Sequence, residues 1–591
     1  MRTSTFSRAS SALIFLVLAC AAAAQAQKQD PILRAMHDEL DRSKALRVVS
    51  SDLPYYIEYQ VEDQDSFSVS ASLGGLLSSN HTHFRIPETQ VRVGSYDFDN
   101  TDHVYSGYYS GRRYDPSHWP IDDNYEVMRQ FLWLSTDRAY KSAIEGIARK
   151  RGSMKNMAVG YEQLPDFSKV PPVTSILPIT RHPVDEAQWT NRIVSLSAVF
   201  NGYSDIVSSD VELESNQATF YFANSEGTTI RMPDNATYIR VRAAGQAADG
   251  MMVHDSAAYQ ANDLQDLPPE ADLLRGVTEV AGNVKALVHA PVGEDYVGPV
   301  LVEARAAAQL FAQLLGDNLR IPRRPLADPG RSIPFTPSEL EGRTGSRILP
   351  EWMDVVDDAT QTEWHGQRLS GNYLFDMEGV APKPVLLVEQ GVLKSFLLTR
   401  QPVKGFNESN GHARLPGSFG GKTAIIGNLF VKASQTQPLP NLKKKLIELI
   451  VQRNKPYGIL IRKLDYPSSA PLQELRAIAQ ASGGSRPVSP PVLVYRVYPD
   501  GREELVRGLR FRGLNVRALK DILAASDDES VFNFLNNGMP FAMMGAGGYV
   551  AACTVVAPSV LFDELELERP REEQSKPPIV PPPALTAKTS Q

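Results

Sequence analysis

Cysteine is almost missing from this chain, which has two among 591 residues, Cys20 and Cys553. Cys20 falls in an N-terminal segment with the pattern of a cleavable export signal, so we expect only Cys553 in the mature protein. One cysteine cannot form an internal disulfide, a cysteine-rich zinc site or a redox pair. Any metal or acid–base chemistry must therefore come mainly from other side chains.

Long basic runs are missing as well. The chain carries 61 lysines and arginines against 68 aspartates and glutamates, a formal net charge of −7. Proteins that bind nucleic acid concentrate positive charge on one face or in one stretch. The short run Lys443–Lys445 is expected to be the solvated face of a helix. We therefore do not expect nucleic acid as a partner.

The first 26 residues predict a signal peptide. Two arginines precede an apolar run, Ala12–Ala24, and Ala26 closes a small-x-small cleavage site. The run is too short to form a stable membrane anchor. We expect a mature chain from Gln27, exported to the periplasm or the extracellular space. Lipid anchoring at Cys20 is the less favoured alternative, because Leu18 is large for its place in a lipoprotein cleavage box.

Zinc hydrolysis would need three protein ligands, an open position for water and a base beside that water. The ten histidines include no His-Glu-x-x-His pair. The nearest spacing is His81 and His83, which on a strand would point to the same face and could share one metal. No third ligand is evident, so we favour two solvated histidines. The acidic residues of Asp354–Asp358 and Asp376–Glu378 are also expected to be solvated rather than catalytic.

The pattern of apolar residues predicts an α+β protein with two domains. Residues 27–270 are expected to form a domain of long helices beside an antiparallel sheet, because long amphipathic segments accompany several short strand patterns. Residues 271–566 are predicted to form a β-rich domain that also contains a helix at Glu303–Leu315 and a short helix at Val516–Ala524. Residues 567–591 are polar and rich in proline, which predicts a disordered tail.

Several segments of the second half follow one another in a characteristic sequence. They are Glu351–Asp358, Asp376–Val380, Val385–Lys394, Gly411–Arg414, Pro456–Gly458 and Val555–Ser559. Together they resemble the TldD/PmbA family of metallopeptidases: Asp376–Val380 is similar to the family's Asp-x-Glu-Gly element, and Val91–Gly94 is similar to an N-terminal element. No single segment is specific, but their order along the chain is. The resemblance implies TldD/PmbA-like domains and peptide substrates, with zinc as the cofactor of catalytic members.

Catalytic members of that family carry a His-Glu-x-x-x-His zinc motif on a helix. Matching Gly316 to the glycine before the second histidine puts Ala312 at the first histidine, Gln313 at the glutamate and Asp317 at the second histidine. Alanine cannot ligate a metal, and a glutamine amide does not titrate and cannot act as a general base. Those members also use a cysteine near the C-terminus, but Cys553 is placed too close to the closing segment, so we expect it to be a small core residue.

Two hypotheses about function follow from the resemblance. The favoured one is a catalytically degenerate member, with no catalytic residue and no cofactor, that binds a peptide or pairs with a partner bearing the zinc motif. A homo-oligomer stays open beside that heteromer. The alternative is an active exported peptidase that holds zinc through an unrecognised ligand set, for which His81, His83 and Asp317 are weak candidates. Loss of two ligands and the base favours the first hypothesis, because nothing remains there to polarise water.

Overall fold

The structure is a computed structural model that describes residues 30–46, 52–104, 112–114, 119–155, 164–327, 335, 337–416, 421–465, 488–536, 550–571, 573, 574, 576, 578 and 580. The predicted signal peptide and Cys20 lie outside these residues, as does most of the predicted tail. Among the helices of the described ranges, none is long and apolar enough to cross a membrane.

Single helices and runs of several strands follow one another along the described chain. The α-helices are α1 Pro31–Ser43, α2 Tyr125–Lys155, α3 Glu186–Ala198, α4 Glu270–His289, α5 Ala304–Phe311 and α6 Leu439–Gln452. The strands are β1 Pro54–Ser72, β2 Gly75–Val93, β3 His103–Val104, β4 Arg112–Tyr114, β5 Thr174–Ile176, β6 Ile206–Asn224, β7 Thr229–Pro233, β8 Ala236–Gln246, β9 Met252–Ala261, β10 Tyr296–Val302, β11 Leu326–Ala327, β12 Met353–Asp357, β13 Glu363–Trp364, β14 Gln367–Arg368, β15 Val385–Glu389, β16 Val392–Leu393, β17 Ala413–Pro416, β18 Lys422–Ala424, β19 Asn428–Ala433, β20 Thr436–Gln437, β21 Gly458–Leu464, β22 Pro491–Val497, β23 Glu503–Val506, β24 Arg510–Phe511, β25 Ile522–Asn536 and β26 Ala551–Glu568.

The N-terminal domain is built on one long antiparallel hairpin. Strands β1 and β2 are each 19 residues long, and they meet at Leu73 and Gly74, which both have positive φ angles (48° and 77°). Two central residues of that kind make the tight hairpin turn whose twist matches the strands. Strand β6 pairs with the other side of β1, and β7 and β8 pair with β6 in turn. The sheet has eight strands in all within the described ranges.

Alternation along β1 gives this sheet two unlike faces. Odd-numbered residues such as Ile57, Tyr59 and Val61 are buried with α1 and α2, and Phe67 and Val69 are buried with α3 and α4. Even-numbered residues of β1 point to the opposite face, because successive side chains of a strand alternate. That face carries mostly polar groups and meets the C-terminal domain.

The C-terminal domain is a mixed sheet with a helix on each face. Its main path runs β16-β15-β12-β19-β26-β10-β21-β22-β23, and β25 pairs with β26. Strand β10 lies parallel to β21 and antiparallel to β26. Val300 and Val302 pack in the same cluster as Phe311 of α5, whereas Leu301 packs with α6 on the other face. Helix α5 is therefore a core element of this domain.

The predicted α+β class, with a sheet-rich C-terminal part, is confirmed. The predicted helix Val516–Ala524 is wrong in its second half, because a 3₁₀-helix ends at Asp521 and β25 begins at Ile522. Residues 522–536 pair with β26, and such long-range pairing overrides local helix propensity. The predicted boundary at residue 270 stays a prediction; beyond it, α4 packs on the N-terminal strands β8 and β9.

Buried charges hold the two domains together. Arg400 of the C-terminal domain is fully buried, and its guanidinium donates to both carboxylate oxygens of Glu226 at 2.7 Å. The same group donates to the carbonyl of Ser168 and lies 3.9 Å from the ring centre of Phe167. Its backbone N–H donates to the buried carboxylate of Glu378 at 2.6 Å.

We expect Arg400→Met to lower the free energy of unfolding by about 3–5 kcal/mol, because it leaves the carboxylate of Glu226 buried without its cation. Denaturant titration followed by circular dichroism measures the change. The matched control is Arg347→Ala, which breaks the exposed ion pair with Glu351; exposed pairs contribute about 1 kcal/mol or less. Equal effects of the two substitutions would contradict the role assigned to Arg400.

Candidate functional site

A cleft lies where the polar face of the N-terminal sheet meets the C-terminal domain. Its volume is about 860 Å³, within the range typical of ligand sites. Strands β1, β2, β6 and β7 supply one wall, and the loop 370–377 with the start of β26 supplies the other. Apolar lining residues are Phe84, Ile86, Phe220, Met232 and Phe375; charged or hydroxylated ones include Glu62, Asp234, Tyr373, Asp376 and Arg414.

Glu62 and Asp234 are two carboxylates on the sheet side of the cleft. Burial raises the pKa of Glu62 to about 8, and the negative charge of Asp234 adds to the effect. Desolvation by the surrounding cleft wall raises the pKa of Asp234 as well, and the positive charge of Arg414 opposes this rise. Glu62 is therefore placed to take up or release a proton near neutral pH.

Arg414 forms the wall between the cleft and the end of α5. Its guanidinium donates to the carbonyl of Ala552 at 2.6 Å and to that of Ile426 at 3.0 Å, and it lies 3.8 Å from the sulfur of Cys553. Cys553 is fully buried, as predicted for a core residue. Its pKa rises to about 12, mainly through burial, and the nearby charge of Asp317 contributes.

The chain segment after α5 is a π-helical turn, Ala312–Gly316. In an α-helix, residues five apart lie about 140° from each other around the axis. A π-turn closes hydrogen bonds between such residues and brings them towards one side; here the N–H of Asp317 donates to the carbonyl of Ala312 at 3.2 Å. The spacing of a His-x-x-x-x-His pair fits this geometry.

Side chains in this turn are engaged within the protein. Ala312 is buried and offers only a methyl group. The amide of Gln313 bonds at both ends to Ser489, donating to its hydroxyl at 2.9 Å and accepting from its backbone N–H at 2.7 Å. Asp317 forms an ion pair with Arg320 at 3.1 Å. These contacts satisfy the polar groups of Gln313 and Asp317, two of the positions that the sequence analysis matched to a zinc motif.

The two histidines of the weak metal hypothesis lie on β2, as the strand prediction required. The ring of His81 bridges Asp65 at 2.6 Å and Glu186 at 2.8 Å, and these carboxylates raise its pKa. His83 bonds to Asp63 at 2.6 Å. Each ring thus has carboxylate partners in the N-terminal domain, and the structure does not bring them to Asp317. The described ranges contain no group of three or more His, Cys, Asp or Glu side chains placed to hold a metal.

The acidic segments that we expected to be solvated are partly buried, which is a correction. The carboxylate of Asp376 accepts backbone N–H groups from Glu378, Val380 and Ala413. Burial first, and then the charge of Glu378, raises the pKa of Asp376 to about 7. Asp357 is also buried, and it bonds to His412 at 3.0 Å. These residues fix the loops that wall the cleft, a role that turn-like sequence alone does not reveal.

Sequence reasoning did not single out Glu62 or Asp234. Glu62 ends the alternating segment Tyr55–Glu62, which predicts a strand, but alternation does not say which face of a strand meets a second domain. Asp234 follows a proline in a predicted turn, where acidic residues are usually solvated. The signal present in the sequence was an acidic residue, Glu62, within a predicted strand. Its apolar neighbours, Ile86 and Phe220, lie on other strands and are identified only by the structure.

A family model matches part of the C-terminal domain. Residues 295–467 match the description "PmbA/TldA metallopeptidase C-terminal domain". A metalloprotease of Archaeoglobus fulgidus is 37% identical over 78 residues, which cover 13% of this chain and 17% of the relative. A metalloprotease of Methanothermobacter thermautotrophicus is 26% identical over 229 residues, covering 37% of this chain and 44% of the relative. The matches therefore span less than half the length of these relatives.

Solved structures share the fold over nearly the whole chain. TldE from Thermococcus kodakarensis has a TM-score of 0.53 at 14% identity, covering 90% of this chain and 100% of that one. A putative modulator of DNA gyrase from Bacteroides thetaiotaomicron has a TM-score of 0.54 at 10% identity, covering 91% and 98%. At such identities the likeness shows the fold alone. The chain therefore shares the fold of these solved structures, and its residues 295–467 are similar to the PmbA/TldA metallopeptidase C-terminal domain.

Proposed function

We propose that this chain is a catalytically silent family member that binds a peptide in the cleft between its two domains. The π-turn Ala312–Gly316 carries the proposal: it has the geometry suited to a six-residue zinc motif, but the groups at the motif positions are a methyl, an amide and an ion-paired carboxylate. A peptide segment fits the lining, since one part of the wall is apolar and another offers hydrogen-bonding groups.

The turn lacks the two histidines and the glutamate of a zinc motif, so a bound peptide would not be cut there. Hydrolysis of an amide needs a group that polarises water and a base that takes its proton. The amide of Gln313 can do neither, because it does not titrate and both its ends bond to Ser489. No arrangement of the described residues favours the alternative of an active peptidase with other ligands.

Export and partnership are part of the same proposal. The signal-peptide pattern of the first 26 residues supports a periplasmic or extracellular location. A silent chain could serve proteolysis by presenting the peptide to a family member with an intact zinc motif, or by assembling with a second copy of itself. Co-purification of the mature chain with a motif-bearing relative would support the heteromer.

The purified mature chain is expected to hold less than about 0.1 zinc per chain after exposure to zinc and thorough desalting, because a tight site needs three ligands. Elemental mass spectrometry measures the content. About one tightly held zinc per chain would contradict the proposal of a catalytically silent protein and would favour the alternative of an active enzyme.

Restoring the motif tests the match between this turn and the family's zinc helix. We expect the triple variant A312H, Q313E and D317H to bind about one zinc per chain, because the π-turn brings both imidazoles towards one side and Cys553 lies near Asp317. Zinc should also raise its melting temperature.

The matched control for this variant is A312N, Q313E and D317N, which makes similar changes in size without imidazoles. A folded triple variant that binds no more zinc than this control would show that the turn is matched wrongly. Circular dichroism establishes folding of both proteins before the metal measurement.

A further inference from the structure

The carboxylate of Glu62 stands alone in an apolar neighbourhood of the cleft wall. On the two strands beside it, the register places Ile86 and Phe220 directly opposite, so apolar side chains flank it on the same face. Among the residues that the structure describes, none forms a hydrogen bond or ion pair with the carboxylate of Glu62. An ionised carboxylate without a partner is costly in such a place, and a cation brought from outside would relieve that cost.

Negative charge dominates the cleft. The acidic lining residues are Glu62, Glu214, Asp234, Asp263 and Asp376, and the basic ones in the described ranges are His182 and Arg414. Glu214 accepts a hydrogen bond from Tyr238, and Asp263 lies 3.6 Å from His182. The carboxylate of Asp376 already accepts hydrogen bonds from backbone N–H groups. Glu62 and Asp234 are therefore the carboxylates best placed to meet a ligand.

We infer that the cleft selects peptides that carry a cationic nitrogen, which binds between Glu62 and Asp234 while an adjacent apolar side chain packs on Phe84, Phe220, Met232 and Phe375. This inference rests on the proposed peptide binding and gives it a substrate class. The nitrogen can belong to a lysine or arginine side chain or to a free amino terminus, since both present N–H donors and a positive charge to the carboxylates.

Cation binding at this place must be coupled to protonation. Because the pKa of Glu62 is about 8 in the empty cleft, most molecules hold its proton at pH 7. A bound cation favours the ionised form and drives the proton off. Affinity for the cationic peptide should therefore rise as the pH increases towards and past 8. The other charged or titratable groups that line the cleft are Tyr373, Asp376 and Arg414 on the opposite wall, and His182, Glu214, Asp234, Tyr238 and Asp263 on the same side as Glu62.

Three short peptides separate the sources of the cation: acetyl-Phe-Lys-Phe-amide, its norleucine analogue, and the norleucine analogue with a free amino terminus in place of the acetyl group. Isothermal titration calorimetry of the mature chain at pH 7, in buffers of different ionisation enthalpy, gives affinity and protons released. We expect the cationic peptides to bind about ten- to a hundredfold more tightly than the neutral one, as charged hydrogen bonds do. About one proton should be released per cationic peptide.

Two isosteric variants and one control locate the effect. Glu62→Gln should remove both the preference for the cation and the proton release, and Asp234→Asn should weaken the preference. The control is Glu212→Gln on the same sheet face; Glu212 also has a raised pKa from burial, but it pairs with Arg240 and does not line the cleft. It should bind all three peptides as the unaltered chain does.

Different failures of this experiment have different meanings. Equal binding of the neutral and lysine peptides, with no proton released, would overturn cation recognition and leave peptide binding intact. If none of the three peptides bound at millimolar concentration, the proposed function would fail and this inference with it. Preference that survived in Glu62→Gln would assign the cation to another part of the molecule.

Discussion

The way the two domains lie against each other depends on pairs of opposite charges between the C-terminal domain and the helix-free side of the N-terminal sheet. The face exists because β1 alternates, with its apolar residues under four helices and its polar residues turned away. Burying polar side chains costs free energy unless each finds a partner. Arg400 meets Glu226, and Lys422 lies 3.0 Å from Glu88 and 3.4 Å from Glu58. These ion pairs fix how the domains lie against each other, and hence the shape of the cleft.

Strand β1 contributes Glu58 to the interface between the domains and Glu62 to the cleft. They lie on the same face of β1, four residues apart. Glu58 accepts from Tyr56 and Gln60 and has the cation of Lys422 nearby. Among the described residues of the C-terminal domain, none forms an ion pair with Glu62, and the guanidinium of Arg414 donates to the carbonyls of Ile426 and Ala552. The loop 370–377 leaves a cavity at this place, so the carboxylate of Glu62 faces the cleft and not a charge of the other domain.

Much of the fold could be read from local patterns, and the site could not. Apolar spacing predicted a helix at Glu303–Leu315, and α5 lies within it, since such spacing depends on nearby residues. The end of α5 as a π-turn and the burial of Asp376 depend instead on chain segments far away. Glu62 became a candidate only when the opposite domain was in place, because its lack of a partner is a property of two domains and not of one strand. The match of Ala312, Gln313 and Asp317 to a zinc motif came only from the resemblance to a known family.

The persistence of α5 and its π-turn without ligand chemistry has a structural reason. Phe311 and the alanines of α5 fill the core against β10 and β26, and the N–H of Ala304 donates to Ser559 at 2.8 Å. The amide of Gln309 donates to the carbonyl of Asp465, and Gln313 closes two hydrogen bonds with Ser489. Each polar group of the turn therefore stabilises a neighbouring segment. The core therefore needs this helix and its turn for packing and hydrogen bonding, whether or not a reaction takes place beside them.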